Sequence, residues 1–307
     1  MTISSEIHQK LKIQLNSKLN HLPKRSLNYI EDIITLIKKE IGLDKIISII
    51  LFGSQTAARK ENTKISDCDI LIIFKDEVTN QKIRNVEKYF VSLEIKHNFR
   101  EYNKTIPKRI LGVVQQTTGM FISHFLTKKN YWENAIFHKI FRVNEVFAAL
   151  FAPSKIVLCS VIDNSTLIYG IDLRESVKNN IKIPFYDMIK SIIMNMMIAI
   201  FSIVITPFKN LNSIKYELEA IKWALRASNY YSFQDAASLK TIINRFKIIE
   251  KLKLKKIADI FYKRFLELRH DPIRDIKFIL KVPFRILKIH IIGILLKKIN
   301  KNNNLKG

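Results

Sequence analysis

A chain of 307 residues, 48% apolar and 10% aromatic, is long enough for one large or two moderate packed domains and is not a disordered tail. Two cysteines, Cys68 and Cys159, exclude a disulfide framework and fit a reducing, cytoplasmic setting. The 52 Lys and Arg against 27 Asp and Glu leave a net charge of +25, which favours anionic partners: RNA or another polyanion, nucleotide phosphates, or an acidic membrane surface. A chain this rich in Lys, Ile and Asn together also reads as the product of codon bias, so a merely solvated basic surface stays open beside a dedicated polyanion site.

The first residues, MTISSEIHQKLKIQL, lack a long apolar core followed by a small-residue cleavage site, so no signal peptide is expected. Residues 1–24 read as a helical lead-in broken at Pro23, with apolar positions Ile7, Leu11, Ile13 and Leu15. Ser26 is a candidate N-cap for a helix Leu27 to Ile41, whose stripe is Tyr29, Ile33, Ile34 and Ile37 and whose stop is Gly42. The run Ile46 to Phe52 is short and rich in β-branched residues, as a buried strand should be. It ends at Gly53-Ser54, where glycine admits a positive φ and the turn's N–H groups can form an anion nest. A polar loop leads to Asp67-Cys68-Asp69 and a second buried strand, Ile70 to Phe74. Period-2 alternation puts Asp67 and Asp69 on one face and Cys68 on the other. Two carboxylates that close repel unless a cation lies between them, and hard oxygen ligands suit Mg²⁺ completed by substrate phosphates.

Gly53-Ser54 closing one strand, Ala58-Arg59 in the loop, then Ser66-Asp67-Cys68-Asp69 opening the strand Ile70-Leu71-Ile72, resemble the nucleotidyltransferase-fold superfamily. That group includes DNA polymerase β, the minimal nucleotidyltransferases and the aminoglycoside adenylyltransferases. The motif spans about a tenth of the chain, its loop is slightly long, and Lys60 stands where a glycine is common. The resemblance implies an α/β (α+β) domain with a small mixed sheet beside an all-α helical domain. It implies Mg²⁺ or Mn²⁺ on Asp67 and Asp69, β,γ-phosphates on Gly53 and Ser54, and further positive charge from Arg59, Lys60 and Lys222. It also implies a third carboxylate from a later strand.

Thr79 to His97 reads as a helix with Ile83, Val86, Phe90, Leu93 and His97 on one stripe, which leaves Glu94 on a helix face rather than on a strand. A second helix is expected over Thr105 to Thr117, then a strand Met120 to Leu126. Alternation puts Ser123 or His124 where the third acid should stand, with His124 read either as a satisfied structural histidine or as a substitute for that acid. Asn130 to Phe141 and Val143 to Phe151 read as helix, Ile156 to Val161 as a short strand, and Thr166 to Tyr169 with Gly170 as another. The string LIYGIDL resembles the segment that closes the catalytic domain in this group, giving a domain over 25–175 and a basic helical domain over 176–307.

Phe185 to Phe208 approaches the length of a membrane span, but Lys190, Asn195 and the Pro207 end argue for a core helix. Leu211 to Tyr231 reads as an amphipathic helix, and by analogy Lys222 or Arg226 would hold phosphate oxygens and Glu217 or Glu219 would deprotonate an acceptor hydroxyl. An exposed, charge-laced face is the plainer reading of those four residues. Helices are expected over Asp235 to Phe246 and Leu254 to Arg269, where Arg264 and His270 loosely resemble the HEPN ribonuclease spacing. The tail Asp275 to Lys298 is basic and apolar, interrupted at Pro283, and suits capping of the bundle, a nucleic-acid backbone or peripheral contact with an anionic membrane. NKNNNLKG is expected to be disordered. The expected function is transfer of a nucleoside monophosphate from an NTP, ATP by preference, to a small molecule, protein or RNA 3′ end. The alternative is a nucleotide-binding or toxin–antitoxin-type interaction protein of the same fold that has lost turnover.

Overall fold

The computed structural model describes residues 19–56, 68–99, 122–208, 211–253 and 257–304. By contacts the chain divides into two units, one of residues 1–148 and 161–181, the other of 149–160 and 182–307.

The first unit is built on a four-stranded mixed sheet. Helix α1, Lys24–Glu40, precedes β1, Ile46–Phe52, and β2, Asp69–Phe74. Helix α2, Asn80–Lys96, leads on to β3, His124–Lys128. Three short helices follow: α3 Lys129–Glu133, α4 Phe137–Ile140 and α5 Glu145–Phe151. Helix α6, Ser154–Asp163, most of which (154–160) belongs to the second unit, leads in sequence to β4, Ser165–Gly170, and to α7, Arg174–Lys178. The strand order is β3-β2-β1-β4. β1 is antiparallel to β2 and to β4, and β2 is parallel to β3.

One sheet face carries the core. Ile49, Leu51, Cys68, Ile70, Ile72 and Phe74 pack with Tyr29, Ile33 and Ile37 of α1 and Ile83, Val86 and Phe90 of α2. The two helices are clasped by Asp32, which accepts from Lys96 at 2.7 Å and His97 at 2.8 Å. The opposite face carries Phe52 against Phe125 and Phe125 against Phe141, ring centroids 5.7 and 5.2 Å apart.

Several boundaries differ from the sequence expectations. α1 starts three residues early, with extended Pro23 as N-cap, and the expected cap Ser26 is buried in its first turn. β3 begins at His124 rather than Met120. The run 130–151 is three helices because Ala135 and Arg142 adopt φ near +50° and break the ladder. The expected strand Ile156 to Val161 is helix α6: a short apolar run does not declare its period, and Pro153, just before the first turn, favours a helix start. The lead-in before residue 19 and the helix Thr105 to Thr117 lie outside the described residues.

The second unit is helical: α8 Phe185–Ile205, α9 Ser213–Phe233, α10 Leu239–Lys253, α11 Ile257–His270 and α12 Ile276–Asn304. α9 packs on both α8 and α12. Asp275 caps α12, its Oδ1 accepting from the Phe278 N–H at 3.0 Å. The helix passes through Pro283 and on to Asn304, so proline does not interrupt it and the asparagine run is helical. α8 is long and apolar enough to cross a membrane by length and composition alone.

Candidate active site

The site is assembled at one end of the sheet, where β1 finishes and β2 begins. Phe52 pairs with Asp69 and with Ser165, and the Ile70 N–H donates to the Ser123 carbonyl at 2.8 Å. After Phe52 the chain turns through a short 3-10 segment, Gly53–Gln55. Thr56 Oγ1 donates to the Gly53 carbonyl at 3.3 Å, and His21 Nε2 donates to the Gln55 carbonyl at 3.1 Å, so the turn is pinned from both sides.

Gly53 has φ +83°, and a Cβ there would lie 2.0 Å from Asp69 Oδ2. The carboxylate occupies the room the missing side chain leaves. Asp69 is partly exposed, whereas every other residue of β2 is buried, and Ser54 beside it is also partly exposed. A carboxylate oxygen and a turn of backbone N–H groups thus share one open corner. The structure thus brings Gly53 and Asp69 together, with Ser54 next in the turn. Cys68 faces the core, as alternation requires. Asp67, Arg59 and Lys60 lie outside the described residues.

β3 supplies no acid on this face. The register pairs Ile70 with His124, so His124 faces the core side and Ser123 stands beside Asp69. His124 Nδ1 donates to Glu94 Oε1 of α2 at 2.6 Å, both side chains being buried, with Phe90 stacked on the ring at 5.1 Å. His124 is therefore a structural histidine. Glu94 is buried on the helix stripe next to Phe90, not on an outward face; the signal was its i, i+4 spacing from Phe90. Among the described residues no group of three or more potential metal ligands occurs.

The helical unit's proposed groups are differently placed. Lys222 pairs with Glu219 on α9, and Arg269 stands 3.8 Å from the same carboxylate. Burial works against the charged form of Glu219, but Lys222 and Arg269 outweigh it and hold the carboxyl below its usual range. Glu217 is fully buried, and among the described residues neither carboxylate oxygen makes a well-formed hydrogen bond, the nearby Ser202 Oγ being given to the Ser213 carbonyl at 2.8 Å. Burial pushes its pKa up to about 9, so it is neutral near pH 7 and cannot act there as a base. Arg264 is engaged by Asp275 and Glu267.

A cleft of about 370 Å³ lies elsewhere, at the C-terminal ends of β2 and β3, lined by Arg84, Thr127, Lys128, Lys139 and Arg142. The length of β2, roughly 15 Å, separates it from Asp69.

A small mixed sheet in which a Gly-Ser turn closes on the aspartate that opens the next strand is the nucleotidyltransferase arrangement. Residues 30–131, about a third of the chain, match the family model for a nucleotidyltransferase domain. Among solved structures the chain is similar to the crystal structure of spectinomycin adenyltransferase AAD(9) from Enterococcus faecialis with ATP and spectinomycin. The two share 12% identity at a TM-score of 0.47, over 84% of this chain and 98% of that one. No curated protein sequence matches the chain.

Proposed function

We propose that the first unit transfers a nucleoside monophosphate from a nucleoside triphosphate, ATP by preference, to a hydroxyl acceptor. The observation that carries this reading is the Asp69 carboxylate seated over Gly53 at the open end of the sheet. The acceptor oxygen bonds to the α-phosphorus as the bond to the α,β-bridging oxygen breaks. The electron pair leaves on pyrophosphate, and the acceptor's proton is released to water. Such transfer asks the protein mainly for positioning and charge stabilisation.

Gly53 and Ser54 receive the β,γ-phosphates through backbone N–H groups and a hydroxyl. Arg59, Lys60 and Lys222 are our candidates for further positive charge around the triphosphate. The partly exposed carboxylate of Asp69 has the donor chemistry of a hard divalent site. With Asp67 it would hold Mg²⁺ or Mn²⁺, which would neutralise charge on the transferring and leaving phosphates. The acceptor is a small hydroxylated molecule, a protein side chain or an RNA 3′ end. Ser123 in the place of a third acid favours one second reading, nucleotide binding without turnover.

The test is incubation of the full chain with each α-labelled triphosphate and Mg²⁺ or Mn²⁺, with cell RNA, total protein or small-molecule extract as acceptor. Label is expected to move to one acceptor class. Asp69→Asn is expected to reduce labelling at least about a thousandfold while the protein stays folded. Labelling that survives Asp69→Asn removes this residue from the reaction. Tight triphosphate binding with no labelled acceptor supports the second reading.

A further inference from the structure

We propose that the outer face of α12 is a docking surface for an anionic lipid bilayer. The inference does not depend on the nucleotidyl-transfer reading, because it rests on the helical unit alone.

α12 is apolar on two faces. Its inner face, with Phe278, Ile279, Val282, Ile286, Ile289 and Ile292, is buried in the bundle, which satisfies the capping expected of this tail. Its outer face carries Ile276, Leu280, Phe284, Leu287, Ile291 and Leu295, all exposed, with Phe284 at 77%. The spacings run four, four, three, four, four, so these six side chains form one stripe along the helix. A helix apolar all round belongs inside a protein or against lipid, yet half of this one is bare.

The neighbouring helix repeats the pattern. α8 runs antiparallel to α12, touching it where Asn195 meets His290 and where the Arg274 guanidinium reaches the Thr206 carbonyl. α8 exposes Tyr186, Ile189, Ile193, Ile200 and Val204 while burying Asp187, Ser191, Asn195 and Ser202. Its buried face mixes those polar residues with Met188, Met194, Ile198, Ala199 and Ile205, so apolar side chains lie on its outer as well as its inner side.

Charge decides the occupant. From Ile276 to Asn304 there is no acidic residue at all. Lys277 and Lys281 lie along one edge of the stripe, both exposed; neither forms a salt bridge among the described residues, although Lys277 is near enough to Asp275 to help hold that carboxyl low. Arg285 and Lys288 are instead turned to the buried Glu250, at 3.1 and 2.8 Å. An apolar stripe edged by exposed lysines suits an interface in which the stripe enters the acyl boundary and the ammonium groups reach anionic headgroups. A second copy would bring a second set of these exposed lysines to the face, with no acid on α12 to offset them.

The experiment is co-sedimentation of the full chain with vesicles of phosphatidylcholine and phosphatidylglycerol at three to one, against pure phosphatidylcholine. Light scattering of the same samples gives the oligomeric state. The chain is expected to partition onto the anionic vesicles at least tenfold better than onto the neutral ones. The variant Leu280→Gln/Phe284→Gln/Leu287→Gln is expected to lose at least tenfold in partitioning with an unchanged circular dichroism spectrum. The variant Lys277→Gln/Lys281→Gln is expected to lose about tenfold, on anionic vesicles only. Absence of preferential binding to the anionic vesicles overturns the proposal, as does a triple variant that binds like the parent. A dimer that the triple variant converts to a monomer, with no vesicle binding by either, assigns the face to a second copy instead.

Discussion

Gly53 and Asp69 are fitted to each other, and that fit is open to test. In Gly53→Ala the new methyl meets the end of the Asp69 side chain, which can rotate away, so the fold should survive with a loss of about 1–2 kcal/mol from the positive φ. The displaced carboxylate should nevertheless cost transfer at least about a hundredfold. Gly170 makes the contrast. Its φ is +87°, and a Cβ would lie 1.9 Å from the Ile47 carbonyl oxygen, which is backbone and cannot swing aside. Gly170→Ala should cost more than Gly53→Ala, about 3 kcal/mol or above. Urea denaturation of the two variants, beside their labelling rates per folded protein, checks both expectations.

Two buried groups of the helical unit give a pH dependence of known sign. Asn195 Nδ2 donates to His290 Nε2 at 3.1 Å, so the ring proton sits on Nδ1 and is given to Tyr231 Oη at 3.0 Å. Burial lowers the His290 pKa from 6.5 to about 3. Below pH 6.5 the unfolded chain therefore binds a proton that the folded chain refuses, and stability falls as pH drops towards 3. Glu217 is opposite: its folded pKa of about 9 lies above the usual 4.5, so its contribution is lost as pH rises through that interval. Each slope is about 1.4 kcal/mol per pH unit. Glu217→Gln should remove its part of the alkaline decline and His290→Asn its part of the acid decline. Urea titrations of parent and variants between pH 4 and pH 9 measure the difference.

At the scale of elements, the sequence was legible where a period or a turn residue is unambiguous. The bounds of β1 can be read to the residue, because a seven-residue run, apolar but for Ser48 and rich in isoleucine, ends at a glycine turn. α2 follows from its stripe and from Thr79, whose Oγ1 accepts from the Lys82 N–H as an N-cap should. β4 follows from the same strand-then-glycine logic as β1. α6 was not legible, since Ile156, Val157 and Leu158 suit either period and only the fold chooses between them. The break at Ala135 was hidden too, because alanine does not favour a left-handed backbone, whereas the one at Arg142 falls between the two helices expected there. Pro283 misled in the other direction: a proline inside a long helix removes one hydrogen bond, but the packing of Phe278 to Ile292 carries the helix across it. For the site, the resemblance carried by the Gly-Ser turn and the Asp-x-Asp strand start implied that Gly53 and Asp69 would meet, as they do. It could not pair Glu94 with His124, which meet across the 30 residues that separate them.

At the scale of the molecule, strand order sets a condition on how the chain is made. β1 lies inside the sheet, yet the partner for its outer edge, β4, is synthesised more than a hundred residues after it. Until Ser165–Gly170 emerges, a strand of seven largely buried residues presents a bare row of amide and carbonyl groups, a template for pairing with another nascent chain. A chain truncated after residue 160 should therefore aggregate on expression, whereas one truncated after residue 181 should keep its first unit monomeric. Sedimentation of the two fragments decides it. The placement of β4 makes this a protein whose Gly53–Asp69 corner is drawn early on the ribosome but secured late, so its biogenesis leans on whatever shields that open border in the interval.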